Sequence, residues 1–301
     1  MITVPTVLVM GAGASIDFGF PSGWELFQDI AHKAEHDWPV LADISPMAGD
    51  LKRFAQALTK SGQCSVDSFL ERREDLVEIG KRAIALALIP KEREISLFSE
   101  STTKGWLPRM SWYRHLFQKM DCRPGDFHAN NISFITYNYD RSLEHFLTTA
   151  LASNYRITHD AAWKAVMALN IIHVHGQLGA YSPIGSGNGR LYTDTFSPHE
   201  LSLAAAGIQV IHEHNDTTKI DATRKLLKNA KRICFLGFGY DLVSLERLET
   251  KQLPLGIDVV GSCYKIPDSK KSSLGNIIPN IRWADPARLC LDVLQNEFPL
   301  V

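Results

Sequence analysis

Short apolar runs recur along the chain, and several of them end in glycine or in a small polar residue. The clearest run covers residues 7–10 and is followed by the turn Gly11-Ala12-Gly13-Ala14-Ser15. A capping-box pattern from Ser22 to Glu25 then opens a segment whose apolar residues recur at helical spacing. This order predicts a buried strand, a tight glycine turn and the start of a helix.

The same kind of run predicts further strands along the chain. They fall at residues 132–136, 171–175, 233–236, 257–260 and 280–283, with a short candidate at 208–211. Helical patterns separate most of them, whereas residues 268–273 are predicted to be a polar loop and residues 286–296 a closing helix. The alternation predicts an α/β fold with a Rossmann-like parallel sheet flanked by helices.

One long block breaks this alternation. From Trp24 to Asp121 the pattern is mostly helical, and it includes a predicted helix over residues 66–89 that Pro90 stops. We therefore predict one domain over residues 1–301, in which residues 36–121 form a mainly helical insertion after the first strand–helix unit. Ligands of open α/β sheets bind at the carboxyl edge, so the insertion is expected there, as a lid or as a structural flank.

Composition narrows the classes of function. The chain has 301 residues, 45% of them hydrophobic and 22% charged, which is typical of globular proteins. A formal net charge of -1 provides no basic excess for a nucleic-acid surface. No apolar run approaches the ~20 residues of a membrane helix, and a signal-peptide pattern is absent. We expect a cytoplasmic protein with no direct nucleic-acid or membrane partner.

The candidate chemistry gathers where predicted strands end. These ends read GAGAS, TYNYD, HVHG, GFGYD and VVGS, and in a parallel sheet they face one crevice. Unpaired N–H groups at a glycine turn can hold a phosphate, so the first hypothesis is a nucleotide site. Ile16 stands where a dehydrogenase fingerprint has its third glycine, which disfavours a hydride-transfer site. GAGAS could also be only a strand-to-helix turn.

Each polar residue also has a structural alternative. Asn138 and Asp140 flank a helix start, where they could simply be caps. His175 could be a core histidine. His173 and His175, with His212 and His214, raise the possibility of a metal site, but no third-ligand spacing is evident and no metal is expected. The five scattered cysteines never form CxxC, so they cannot build a four-cysteine zinc site.

Taken as an ordered set, these motifs resemble the Sir2 superfamily. GAGAS with the following DFGFPS resembles its first NAD loop, and TYNYD is similar to its T-x-N-x-D motif. HVHG matches the strand that carries its catalytic His-Gly, while Gly237-Phe238-Gly239 and Gly261-Ser262 occupy the places of later nucleotide-binding turns. The resemblance covers nearly the whole chain outside the helical block.

Two departures indicate a branch of that superfamily. The two CxxC pairs of a sirtuin deacylase are absent, and GFPSG stands where a sirtuin continues into its Phe-Arg element. The pattern resembles the SIR2-like NADases of bacterial antiphage defence. It implies an NAD+ glycohydrolase that acts in abortive infection, in an oligomer or hetero-complex with a separate sensor or regulatory protein encoded nearby. A protein deacylase, a noncatalytic NAD- or ADP-ribose-binding subunit and a nucleotide-dependent metal hydrolase are the alternatives.

The resemblance also implies roles for individual residues. Asn138 would position water or a ribose hydroxyl, and His175, with an ordinary pKa of about 6.5, would accept a proton. NAD is expected as the substrate. The residues predicted to bind it are Gly11, Ala12, Gly13 and Ser15 at the pyrophosphate, Asp17 and Asp140 in the polar shell, and Gly237, Gly239, Asp241, Gly261 and Ser262 on the adenosine side.

Overall fold

A six-stranded parallel sheet forms the centre of the computed structural model, which describes residues 1–33, 48–99, 110–210 and 217–301. The strand order is β3-β2-β1-β4-β5-β6, and this order confirms the predicted Rossmann-like α/β fold. The strands are β1 Thr6–Met10, β2 Ile132–Thr136, β3 Asn170–His173, β4 Arg232–Leu236, β5 Asp258–Gly261 and β6 Ile281–Trp283.

The central strand β1 shows why the apolar runs become strands. Leu8 pairs in register with Phe134 of β2 on one side and with Cys234 of β4 on the other. Every residue of β1 is buried, as expected of a parallel strand covered on both faces. Leu8 belongs to a core with the helices between β1 and β2, whereas Val9 belongs to a second core on the opposite face.

Helices fill the connections between the strands. None of those in the described ranges is both long enough and apolar enough to cross a membrane. The helices are α1 Gly23–Lys33, α2 Ala48–Thr59, α3 Val66–Leu70, α4 Val77–Leu88, α5 Glu94–Phe98, α6 Trp112–Lys119, α7 Ser142–Tyr155, α8 His159–Met167, α9 Pro198–Gly207, α10 Thr217–Asn229, α11 Leu242–Arg247, α12 Asp268–Gly275 and α13 Cys290–Asp292.

The helical block between β1 and β2 agrees with the sequence in character. Within the described parts of residues 24–121, the regular elements are helices and no strand occurs. The predicted capping box is present at α1, where the Ser22 N–H donates to Glu25 Oε2 at 2.7 Å and the Glu25 N–H donates to Ser22 Oγ at 3.2 Å. The apolar side of α1 is buried, as the helical spacing predicts.

The predicted helix over residues 66–89 is in fact two helices. Ser65 caps α3 by accepting from the Ser68 N–H at 3.1 Å, and a 3-10 turn separates α3 from α4. A Cβ at Gly80 in α4 would lie 2.6 Å from Leu70 Cδ2. The missing side chain at Gly80 therefore makes room for Leu70 of α3, and this tertiary contact outweighs the continuous helical pattern.

Three other predictions were wrong in detail. The predicted polar loop at 268–273 is the helix α12, which Leu274 anchors in the core. Ile208 forms only an isolated bridge with Gly176, and Ile211 lies outside the described residues. The closing helix starts at Cys290 and continues as a π-helical turn, whereas residues 286–287 form a turn and residues 288–289 are irregular.

Candidate active site

The turns after β1 and β4 touch each other through their main chains. The Gly13 N–H donates to Gly237 O at 2.9 Å, and a Cβ at Gly11 or Gly13 would lie 2.8 Å from the Gly237 backbone. Gly237 has a φ of 58°, and a Cβ there would lie 2.1 Å from Ala14 N. Contact between the two turns thus requires glycine at these positions, independently of any ligand.

The same contact occupies most of the N–H groups of the GAGAS turn. Gly11 donates to Leu236 O, Ala14 to Gly11 O and Ser15 to Ala12 O, in addition to the Gly13 bond. Among the described residues, the Ala12 N–H alone in this turn has no hydrogen-bond acceptor. The expectation of several unpaired N–H groups that could cradle a phosphate is therefore met only at Ala12.

Asn138, in the turn between β2 and α7, is fixed through both its main chain and its side chain. Its main-chain N–H donates to Thr136 Oγ1 at 3.0 Å, while its carboxamide Nδ2 donates to Gly11 O at 3.0 Å and to Ser15 Oγ at 2.9 Å. Because a carbonyl oxygen only accepts, Nδ2 must face Gly11 and Oδ1 must face away. No donor from the described residues reaches Oδ1, so it remains available as an acceptor.

Ser15 and Asp140 hold that carboxamide in place. Asp140 Oδ2 accepts from Ser15 Oγ at 2.8 Å, and its Oδ1 accepts from the main-chain N–H and the hydroxyl of Ser142. Burial raises the pKa of the Asp140 carboxyl, and the hydrogen bonds from Ser142 and Ser15 oppose this rise. Asp140 thus caps the start of α7, the structural alternative, and also holds Ser15 against Asn138.

His175 lies beside the residues that flank Asn138. Its ring centroid is 5.1 Å from that of Tyr137, edge to face, and 6.3 Å from that of Tyr139. The side chain is buried, and its main-chain oxygen accepts from the Gln209 N–H at 2.9 Å. His175 therefore lies at the same sheet edge as Asn138, as expected from its position at a strand end, and two tyrosine rings lie next to it.

A cleft of about 80 Å³ opens over the ends of β1 and β2. This volume holds a few water molecules and is well below the ~300 Å³ at which sites for drug-sized ligands begin. Asp67 of α3, whose carboxylate accepts from the Tyr139 hydroxyl, and Leu88 of α4 form one wall, so the helical block borders the cleft. The other lining residues are Ala12, Ser15, Phe20, Pro21, Ser22, Gly23, Leu26, Tyr137, Asn138, Tyr139 and Asp140.

The residues predicted for the adenosine side lie at the ends of β4 and β5. Ser262 Oγ accepts from the Gly237 N–H at 2.8 Å, so this hydroxyl supports the β4 turn. Asp241 caps α11, with Oδ2 accepting from the Ser244 N–H at 2.8 Å. Gly239 is exposed and Gly261 is buried at the end of β5. These residues do not line the cleft.

Asp17, the remaining predicted residue, is exposed in the 3-10 turn Ile16–Phe18 that follows GAGAS. The aromatic residues around this turn connect it to α6. Phe18 stacks on Tyr113 with ring centroids 3.9 Å apart, and the Trp112 indole N–H donates to Ala14 O at 2.8 Å. The first turn is therefore fixed by the helical block as well as by β4.

Sequence reasoning missed the buried partner of His173. The Nε2 of His173 lies 2.6 Å from Oε1 of Glu144, and its Nδ1 lies 3.0 Å from the main-chain oxygen of Asn138. Burial alone lowers the pKa of His173, but the Glu144 carboxylate and the hydrogen bonds to Glu144 and Asn138 raise it overall. Glu144 lies one helical turn after Asp140, and this spacing was the available signal.

A second buried charge cluster was also missed. Arg141 Nε and Nη2 donate to the two carboxylate oxygens of Glu92 at 2.8 and 2.6 Å, and Arg190 Nη1 donates to Glu92 Oε2 at 3.3 Å. Arg141 also donates to the main-chain oxygen of Arg190 at 3.0 Å. All three side chains are essentially inaccessible to solvent, and they join the helical block, the start of α7 and the glycine-rich loop.

Comparison with protein-family models and with curated protein sequences finds no match to this chain. Across the described ranges, no three histidine, cysteine, aspartate or glutamate side chains are grouped as metal ligands. His212 and His214, which entered the metal hypothesis, lie outside the described residues. The geometry around Asn138 is therefore the firmest guide to function.

Proposed function

We propose that this protein is a SIR2-like NAD+ glycohydrolase that cleaves NAD+ to nicotinamide and ADP-ribose as the effector of a bacterial antiphage system. The observation that supports this most is the Asn138 carboxamide. Gly11 O and Ser15 hold its nitrogen, so Oδ1 is left as an acceptor in a cleft at the carboxyl edge of the sheet. The motif resemblance supports the choice of NAD.

The reaction breaks the bond between the nicotinamide nitrogen and C1′ of the ribose. Nicotinamide leaves neutral with the bonding electron pair, a water oxygen bonds to the positively charged C1′, and the water releases one proton. In this proposal Asn138 Oδ1 accepts from that water or from a ribose hydroxyl. Asp140 and Asp67 at the cleft would stabilise the positive sugar when ionised. His175 would take the released proton.

The narrow cleft bears on how such an enzyme would be controlled. About 80 Å³ cannot admit a nicotinamide ribose, and His175 does not line the cleft but packs against Tyr137 and Tyr139, which do. We propose that assembly or a separate regulatory protein favours a wider state, which is a shift in populations. The isolated chain would then be weakly active, and its specific activity would rise with protein concentration or with the partner.

The test is incubation of the purified protein with NAD+ over a wide range of protein concentrations, with and without an acylated peptide. Chromatography with mass spectrometry should find nicotinamide and ADP-ribose without peptide. Consumption that requires the peptide would identify a deacylase, and binding without turnover would identify a noncatalytic subunit. Loss of activity with a chelator would identify a metal-dependent hydrolase. If the protein neither binds nor cleaves NAD+ at any concentration, the proposal is refuted.

Substitution of the two candidate catalytic residues sharpens this test. Asn138→Ala and His175→Ala should each lower the rate of NAD+ cleavage by about 10²–10⁴-fold without unfolding the protein, as expected for a lost catalytic group. Asn154→Ala and His159→Ala are matched controls, because both side chains are exposed and away from the cleft. Wild-type rates in either site variant would remove that residue's proposed role.

A further inference from the structure

His173 and Glu144 form a buried pair directly behind Asn138. His173 is the last residue of β3, Glu144 lies in the first turn of α7, and Asn138 lies in the turn between β2 and α7. The two contacts of the imidazole, 2.6 Å to Glu144 and 3.0 Å to Asn138 O, therefore connect three separate elements. Neither His173 nor Glu144 lines the cleft.

The partners determine how the imidazole is used. The main-chain oxygen of Asn138 can only accept, so Nδ1 of His173 must carry a proton. Nε2 then shares a second proton with Glu144, either as an imidazolium beside a carboxylate or as a neutral ring beside a protonated acid. Both forms attract. Without that second proton, a lone pair on Nε2 would face a carboxylate across 2.6 Å, and the contact would become repulsive.

This pair completes the fixation of Asn138. Thr136 holds its main-chain N–H, His173 holds its main-chain oxygen, and Gly11 with Ser15 holds its carboxamide nitrogen. Every polar group of Asn138 except Oδ1 is thus bonded within the described structure. Burying a charged pair costs desolvation energy, and such pairs are often no more stable than apolar replacements, so stability alone is a weak reason for this one.

We propose that Glu144 and His173 are positioning residues that fix the main chain of Asn138 and thereby the direction of its carboxamide oxygen. This inference rests on the proposed NAD+ cleavage. The groups that face His173 are Glu144 from α7, Asp140 from the turn before it and Tyr113 from α6. Of these three groups only Glu144 bonds to the ring, so substitution of Glu144 changes the shared proton and leaves the other two groups in place.

Two substitutions at His173 separate its two contacts. His173→Asn places an amide near the Nδ1 position and can still donate to Asn138 O, whereas His173→Gln places its amide near Nε2 and keeps only the contact with Glu144. We expect kcat to fall by about 10–100-fold in His173→Gln, comparable to the loss from a displacement of about 1 Å, and to fall less in His173→Asn. The KM for NAD+ should change little in both, because Asn138 acts on the reacting atoms.

Glu144→Gln provides the conservative rescue. A glutamine amide can donate to neutral Nε2, so it preserves the contact without a charge. Wild-type kcat should decline at alkaline pH as the shared proton is lost. This decline should be absent in Glu144→Gln. In Glu144→Ala, kcat should be low at all pH values. His145→Gln is the matched control, since it removes a neighbouring, partly buried histidine that contacts Tyr181 and not Asn138.

The experiment measures kcat, KM and their pH profiles for these variants, together with urea unfolding to correct for the folded fraction. Equal kcat in His173→Gln and His173→Asn, or an unchanged alkaline decline in Glu144→Gln, would overturn the positioning role while NAD+ cleavage stands. A wild-type protein that does not cleave NAD+ under any condition would overturn both proposals. The two failures are therefore distinguishable.

Discussion

The buried cluster of Glu92, Arg141 and Arg190 makes a sharp prediction about stability. Glu92→Gln removes one negative charge but keeps nearly the same shape. It would leave two guanidinium groups buried without a counter-charge, and the amide NH₂ would face an N–H donor. Glu92 is 0% exposed and receives three hydrogen bonds from the two arginines, so water cannot replace the lost charge.

The size of the effect follows from this burial. Removal of one partner from a buried ion pair costs about 3–5 kcal/mol, a large part of the ~5–15 kcal/mol that stabilises a folded domain. A neighbouring exposed pair provides the control. Arg93 Nε lies 3.6 Å from Asp194 Oδ2, with side chains 58% and 49% exposed, so Asp194→Asn should cost about 0–1 kcal/mol.

Urea unfolding followed by circular dichroism measures both variants against the wild type. We expect a clearly lower urea midpoint for Glu92→Gln and a midpoint near the wild-type value for Asp194→Asn. The slope of the free energy of unfolding against urea should be the same in all three proteins. If Glu92→Gln costs no more than Asp194→Asn, the carboxylate does not hold the two guanidinium groups as described.

Three further predictions concern the candidate site. Gly237→Ala should strongly lower the free energy of unfolding, because the φ of Gly237 is 58° and the new Cβ would lie 2.1 Å from Ala14 N. Gly239→Ala, where a new Cβ meets open space, should have little effect. Equal urea midpoints for the two variants would contradict this prediction. Ser15→Ala should lower the free energy of unfolding by about 1–3 kcal/mol, because buried Asp140 loses a hydrogen-bond donor, and it should also slow NAD+ cleavage. Wild-type stability together with a wild-type cleavage rate would refute the role given to the Ser15–Asp140 hydrogen bond. The raised pKa of His173 means that its contribution to stability is complete below the unfolded pKa of about 6.5 and is lost as pH rises through the folded value. The difference in urea midpoint between wild type and His173→Gln should therefore shrink with rising pH, and a constant difference would contradict it.

The strands could be predicted from sequence because the apolar runs are short and bounded by turn residues, and the central strand β1 is buried along its whole length. Strand β2 matches the predicted residues 132–136 at both ends. The helices were harder, because tertiary contacts decide where a pattern breaks. Leu70 against Gly80 splits the predicted helix at 66–89, and α12 has too polar a sequence to be distinguished from a loop.

Part of the candidate site could also be predicted. Parallel strands bring Gly11, Asn138 and His175 to one edge, and the motif spacing was enough to infer that. The sequence predicts that the glycines after β1 allow the approach of a phosphate. In the structure, the small size of Gly11 and Gly13 also allows contact with the backbone of Gly237. The spacing of Glu144 from Asp140 indicated its side of α7, but its pairing with His173 joins residues 29 positions apart and depends on how α7 packs.

The glycine-to-glycine contact between the β1 and β4 turns has a geometric consequence. In an open sheet of this order, the natural entrance lies between the first and fourth strands, where the chain reverses its direction of winding. In this protein the backbones of Gly13 and Gly237 are in contact at that position. Within the described ranges, the cleft beside Asn138 is bordered by α1, α3 and α4, so the size of a molecule that fits there depends on how closely those helices cover the edge.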